Sequence, residues 1–333
     1  MPASRRTILQ LLDSLEGPIA KAFREAVAGV TSRARINQIE AAIRRGDVEA
    51  VMRAAGVRPG SWSAVTEAVR NGYVEAGAFT IAADVPARLG MAFNVNNPRA
   101  EAWIRTHSSE WVTNINDDVR ESIRVALNQG MAAGRNPRST ALDIVGRVSK
   151  QTGRRTGGVI GLTDQQAQFA LNARSDLENL SSRYFTRQRR DKRFDRMVRS
   201  AIESGEPLSQ EQINRIVGRY EDRLLQLRGE NVARTEALGA LNEASDEALR
   251  QVVDEGLAPQ ESIIRIWDAT LDARTRPDHV AADGQERGLN EAFDVGGVAM
   301  MHPGDFSAPA EQVINCRCVA RHQIDFVAVE EAA

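Results

Sequence analysis

The stretch from Ser262 to Ile324 begins and ends on residues that suit a strand, and turn-formers fill the space between. Ile263-Ile264-Arg265-Ile266-Trp267 is rich in β-branched and aromatic side chains, which favour a pleated, half-buried chain. It stops at the turn-formers Asp268 to Asp272. At the far end Cys316, Cys318 and His322 share one parity, and Arg317, Val319 and Arg321 the other. Successive strand side chains point to opposite faces. The two cysteines are therefore expected side by side, with His322 further along the same face. Gly284, Gly288, Gly296, Gly297, Pro303 and Gly304 mark a winding excursion between the two ends. The expectation is a small α+β module whose ends are drawn together as strands. Both cysteines and three of the four histidines fall inside it.

Upstream the period changes. Ile8, Leu11, Leu12 and Leu15, then Ile19, Phe23 and Val27, recur at helical spacing with one apolar face. Gly17-Pro18 is expected to break or kink that run. Ile36, Ile39 and Ile43 continue the pattern, and Val48, Val51 and Met52 follow Gly46-Asp47. Residues 56–100 read as less regular, punctuated by Gly56, Pro59, Gly60, Pro86, Gly90 and Pro98. From Arg99 helices resume, with Trp103 and Trp111 eight apart and near one helix face. His107 between them suits a surface or satisfied core position. The fold class expected is mainly α: helical hairpins followed by a small C-terminal α+β module with a short sheet. Along the sequence this divides as 1–84, an N-terminal helical region; 85–255, a helical region with a duplicated hairpin; and 256–333, the C-terminal module.

The duplication is visible in two places. Ile123-Arg124-Val125-Ala126-Leu127 and Gly130 precede Ile144-Val145-Gly146-Arg147; Val198-Arg199-Ser200-Ala201-Ile202 and Gly205 precede Ile216-Val217-Gly218-Arg219. Two copies of a helix-turn-helix hairpin explain this, short of a solenoid. Thr163 with Gln166, and Ser209 with Gln212, form capping boxes at helix starts. The RTGG at 155–158 lacks the preceding strand and the Gly-Lys-Ser/Thr of a phosphate loop.

Charge is nearly balanced, 43 basic against 45 acidic residues, so there is no global footprint of a nucleic-acid binder. No apolar run approaches the ~20 residues of a membrane span. Asp13 and Glu16 interrupt the N-terminal stretch before a signal-peptide core forms. A soluble, cytosolic protein without a membrane partner is expected. One local excess stands out, RYFTRQRRDKRFDRMVR at 183–199. It reads either as a solvated helix face, with Asp191 and Asp195 pairing locally, or as a surface gripping DNA backbone or a partner through Arg187, Arg189, Arg190, Lys192 and Arg193. Tyr184 and Phe185 suit a core more than a base-stacking platform.

Two cysteines two apart are a poor disulfide framework. Zn²⁺ takes thiolate and imidazole in a tetrahedron. Cys316, Cys318 and His279 would supply three ligands, and His302 or His322 would close the site. The alternative is a pair of small buried thiols beside a hydrogen-bonding histidine. Catalytic readings also arise: a nucleophilic cysteine with His279 and Asp272, or Asp268, Asp272 and His279 holding a hydrolytic metal. No His-Glu-x-x-His, Gly-x-Ser-x-Gly or nucleotide loop accompanies them. Asp268 and Asp272 as turn acceptors, with Arg274 and Arg276 pairing acids, explain the same residues structurally.

The ordered series Trp267, Asp268, Asp272, Arg274, Arg276, His279, Asp283-Gly284, Pro303-Gly304-Asp305 and Asn315-Cys316-Arg317-Cys318, with Ala233-Arg234-Thr235-Glu236-Ala237 upstream, resembles the C-terminal module of the phage Mu F-like head morphogenesis proteins. The likeness runs more loosely back to about Ala92. The resemblance implies a minor capsid protein of a tailed phage, carried in the virion head near the portal vertex and present in the host cytoplasm during procapsid assembly. Its implied partners are the portal protein and other head proteins; phage DNA, touched through backbone contacts, is the further partner that the basic run at 183–199 suggests. A non-enzymatic role is expected, and a metal-dependent hydrolase carried in the virion is the alternative.

Overall fold

The computed structural model describes residues 3–325. In chain order these form α1 (Arg5–Ser32), α2 (Ile36–Arg44), α3 (Val48–Ala55), α4 (Ser63–Asp84), α5 (Pro98–Ala132), α6 (Pro137–Val145), the short strands β1 (Arg147–Val148) and β2 (Arg155–Thr156), α7 (Asp164–Glu178), α8 (Asp195–Ser204) and α9 (Gln210–Asp254). Then come β3 (Ile263–Asp268), α10 (Pro277–Ala281), β4 (Glu286–Gly288), β5 (Phe293–Val295), β6 (Val298–Met300), α11 (Ala310–Val313) and β7 (Val319–Ile324). The chain is mainly α with a small α+β C-terminal part.

Two compact units arise, each discontinuous in sequence: residues 1–22, 65–108 and 230–333 in one, 23–64 and 109–229 in the other. In the first, β3 is the centre of a three-stranded antiparallel sheet, ordered β4-β3-β7. Arg265 lies opposite His322, and Trp267 opposite Ala320. The two ends of the module are thus paired, as the alternation predicts. The sheet packs on α9 through Leu249, Ile263 and Leu289. Ile81, Val85, Ala248, Val252 and Ala258 form a second cluster there. In the second unit, Leu177, Tyr184, Val198, Leu208, Ile213, Ile216 and Val217 make one core.

Several expectations need correcting. Gly17-Pro18 does not end α1, which runs through Pro18. Pro18 and Ser14 are both exposed, so the carbonyl that loses its amide partner faces water, where the loss is smallest. Residues 63–84 are one continuous helix rather than irregular chain. Val65, Val69, Tyr73, Ala76 and Thr80 line its buried face, but alanines and glycines dilute the contrast between faces. The basic run is not a helix: it comprises 3₁₀ turns at Ser182–Thr186 and Lys192–Phe194, followed by the start of α8. Tyr184 is fully buried.

Both capping boxes form. Thr163 and Gln166 exchange side-chain and backbone bonds at 3.2 Å each, and Ser209 and Gln212 do the same at 2.8 and 3.2 Å. The RTGG loop spends its amides on carboxylates, not phosphate: Gly157 N donates to Asp222 Oδ1 and Gly158 N to Glu221 Oε2, both at 2.7 Å. A side chain at Gly157 would collide with Glu221 and with the backbone of Gly218.

Candidate metal centre

His279 enters the centre from α10, which is one turn long and starts on Pro277. Cys316 and Cys318 enter from the turn before β7. That turn is set by Asn315, whose backbone is left-handed at φ 57° and whose N–H donates to Thr235 Oγ1 of α9 at 3.1 Å. His279 Nδ1 lies 3.4 Å from each sulfur, and all three residues are at most 2% exposed. The edge of the His279 ring meets Trp267 at a centroid distance of 5.5 Å, so the β3 tryptophan is one wall of the site.

The protonation of His279 follows from its other side. Gln312 Nε2 donates to Asp278 Oδ2 at 3.1 Å, which turns Gln312 Oε1 toward the imidazole. His279 Nε2 then donates to that oxygen at 2.9 Å, leaving Nδ1 with a lone pair aimed at the sulfurs. Metal-bound histidines ordinarily have their second nitrogen fixed in this way. The bond to Cys316, with burial, pushes the Cys318 thiol up, and the bond from Cys318 draws Cys316 down. Of two adjacent thiols, Cys316 is therefore the first to ionise.

The donor set fits zinc. Zn–S and Zn–N bonds of about 2.3 and 2.0–2.1 Å at tetrahedral angles put S and N roughly 3.6 Å apart. The observed 3.4 Å is close to that, and the three ligand atoms lie within 4.8 Å of one another. The cluster lines a small crevice shared with Thr270, Arg276 and Asn315. Asn315 Oδ1 is buried without a hydrogen-bond partner among the described residues.

His302 and His322 do not join it. His302 donates to Glu243 Oε2 at 3.0 Å and faces the Pro303 carbonyl at 3.1 Å. His322, on β7, meets Asp84 at 3.2 Å. Shared parity fails for His322 because β7 begins only at Val319, after the cysteines.

The remaining motif residues are structural. Asp268 accepts from Arg321 at 2.6 Å and from Arg5. Asp272 pairs with Arg317 at 2.5 and 2.7 Å, and that bidentate contact holds its carboxyl well below the usual range. Arg274 pairs with Asp272 at 3.5 Å and its backbone N–H donates to Asp272 Oδ1 at 2.9 Å, whereas Arg276 donates to the Ile314 carbonyl rather than to an acid. Gly284 N closes on the Trp267 carbonyl. Asp305 caps its own turn, accepting from Met301 N and Ser307 N, while Gly304 lies against Leu238 and Gly239 of α9. Neither Asp268 nor Asp272 belongs to the His279 cluster.

Sequence reasoning passed over the residues that anchor the module. Arg265 and Asp246 are both 0% exposed and meet at 2.6 Å. Arg265 also donates to the Gly288, Glu291 and Met301 carbonyls, so its five donors are all used. Asn242 receives the Ala320 N–H and donates to the Pro303 carbonyl. The signal was present: Arg265 shares parity with Ile263 and Trp267, so a strand buried on that face must bury it too.

A family model described as phage Mu protein F like protein matches residues 192–321. This segment belongs to the phage Mu protein F-like family. It contains the whole His279–Cys316–Cys318 cluster, Thr235, Asn242, Asp246 and Arg265. The chain also resembles an NAD(+)--arginine ADP-ribosyltransferase EFV of Enterococcus faecalis (strain ATCC 700802 / V583), with 30% identity over 99 residues. That match spans 30% of this chain and only 19% of the relative. No solved structure matches. No helix among the described residues is long and apolar enough to cross a membrane.

In the basic run, which the Mu F-like match enters only at Lys192, three of the eight cationic residues pair with neighbouring acids. Arg187 pairs with Asp176 at 2.5 Å, Arg190 with Asp195 at 2.9 Å and Arg193 with Asp191 at 2.6 Å. Arg189 and Lys192 are exposed.

Proposed function

We propose that the protein is a minor head protein of a tailed phage, associated with the portal vertex during procapsid assembly. The Mu F-like segment supports a phage head morphogenesis protein. The observation that carries the reading is where the segment's chemistry points. Arg265, His302 and Asn315 bond to Asp246, Glu243 and Thr235 of α9, and His279, Cys316 and Cys318 are buried against one another. Exposed Met131, Phe169 and Met197 provide apolar anchors for a partner on the helical part, of the kind interfaces favour. Co-expression with the cognate portal protein should yield a complex that survives purification, and Met131→Ser with Phe169→Ser should release it. No association by the intact protein would end the portal reading. Release by Leu271→Ser and Ile314→Ser instead would move docking to the C-terminal turns.

Within that protein His279, Cys316 and Cys318 bind one Zn²⁺ as a staple, joining α10 to the turn before β7. Metal analysis should find about one zinc per chain, and chelation should lower the melting temperature. A metal-free, stably folded protein would leave packed thiols. A hydrolase would need a reactive group with access. The sulfurs are buried and the two aspartates are neutralised by arginines, which favours the staple. The transferase activity in the relative's name stays with that protein.

A further inference from the structure

Three protein donors leave one vertex of a tetrahedral zinc to another ligand. Among the described residues no fourth histidine, cysteine or carboxylate joins His279, Cys316 and Cys318. The space beside them is a crevice of about 10 Å³ that all three line. A water needs about 10–15 Å³, so the crevice admits one ligand atom and little more. Its rim includes half-buried Thr270 and Arg276 and, outermost, exposed Arg274.

The walls are tied in place. Thr270 Oγ1 donates to the Arg317 carbonyl at 2.7 Å, and Arg276 to the Ile314 carbonyl at 2.5 Å. Asn315 stands in the same wall, and its Oδ1 is buried without a hydrogen-bond partner among the described residues. Buried acceptors are rarely left so. A metal-bound water has two hydrogens and satisfies such an acceptor with one of them. Charge adds a preference. A divalent ion with two thiolates is neutral, and the lining holds three arginines and no carboxylate. Asp272, which pairs with Arg274 and Arg317, offsets only one of those three charges. Excess positive charge favours an anion over water at the same vertex.

On the zinc reading of this site, on which the inference rests, we propose that the metal keeps an exchangeable fourth position, filled by a water that donates to Asn315 Oδ1 and open to one small anion. The position binds a ligand without turning it over. No carboxylate or second imidazole lines the crevice to take a proton from the water, which general-base hydrolysis requires.

The test uses the full chain loaded with zinc, or with cobalt(II), whose visible spectrum reports its ligands. X-ray absorption at the zinc edge should show two sulfurs at about 2.3 Å and two nitrogen or oxygen atoms at about 2.0–2.2 Å. Azide should shift the cobalt d–d bands, saturating at one per metal, and leave the thiolate-to-cobalt band in place. Asn315→Gly suits the left-handed backbone and keeps the N–H bond to Thr235 while removing Oδ1. It should weaken zinc binding by roughly 10–100-fold, yet bind azide several-fold more tightly, because the displaced water has lost its acceptor. A purely structural role for Asn315 would not raise azide affinity. A cobalt spectrum that azide does not move, or a third sulfur at the zinc edge, overturns the proposal and leaves the staple, closed by the protein itself or by a second copy. Unchanged azide affinity in Asn315→Gly overturns the assignment of Asn315 as the water's partner. A chain that binds neither zinc nor cobalt ends the zinc reading itself, and the fourth ligand with it.

Discussion

Arg265 sets the terms for its neighbours because a buried guanidinium must be satisfied in full. Removing Asp246 leaves that charge unpaired. Asp246→Ala should destabilise by about 3–5 kcal/mol in urea unfolding, and Asp246→Leu with Arg265→Met should recover most of it. A double variant no better than the single would mean that the carbonyl contacts of Arg265 matter more than its ion pair. Gln312 has a comparable role for His279. Gln312→Leu leaves Nε2–H buried without an acceptor, at a cost of about 1–3 kcal/mol. Under the staple reading it should also weaken zinc binding by roughly 10–100-fold, measured by competition with a chromogenic chelator. At this scale the grouping of Cys316, Cys318 and His279 was legible from residue type alone. Gln312 and Asp246 were not, since a glutamine on one short helix and an aspartate on a long one reveal no partner until the chain closes.

The element that organises the first unit is α9, and its buried stripe is polar where a core helix is usually apolar. Asn242, Ser245, Asp246, Glu247 and Gln251 are all buried. Such a stripe looks solvent-facing in a sequence, which is why the docking of the module was not legible while its β3–β7 pairing was. The helix starts were legible because capping boxes are local; α4 was not, because its face is set by small residues. The stripe has a pH consequence. His302 donates from one nitrogen to Glu243 and from the other to the Pro303 carbonyl, an arrangement that suits the doubly protonated ring. Burial pulls its pKa down, but the Glu243 carboxylate and the charges of Asp246 and Asp305 outweigh this and raise it to about 9. A group raised above its unfolded value of about 6.5 binds more protons when folded. Its contribution is therefore complete below that value and lost as pH climbs through about 9. Burial raises Glu221 to about 7, with the same sign at lower pH. Stability should fall between pH 7 and 9.5 by on the order of 2–3 kcal/mol, and His302→Gln should flatten that decline in melting curves. An unchanged slope in the variant would remove His302 as the cause.

Over the whole molecule, the question is whether residues 256–333 can fold apart from the rest, as a division at 84 and 255 along the sequence supposes. Turn content and alternation made the segment look self-contained, and its paired strands are indeed its own. Its burial is not. Arg265 needs Asp246, the Ala320 amide and the Pro303 carbonyl need Asn242, and the Asn315 amide needs Thr235, all on α9. His322 needs Asp84, and Asp268 is met by Arg5. An isolated 256–333 fragment would carry these groups into water, or bury them unpaired at about 1–3 kcal/mol each, more for the charges. Domains of that length have little margin to absorb such costs. The fragment should be unfolded by circular dichroism, and zinc alone should not restore it. A chain ending at 255 should lose helix in proportion to the exposed second half of α9, while residues 109–229 keep their protection from hydrogen exchange. A cooperative melt from the isolated fragment would make the linear division the right one, and would turn the contacts with α9 from a condition of folding into a separable interface.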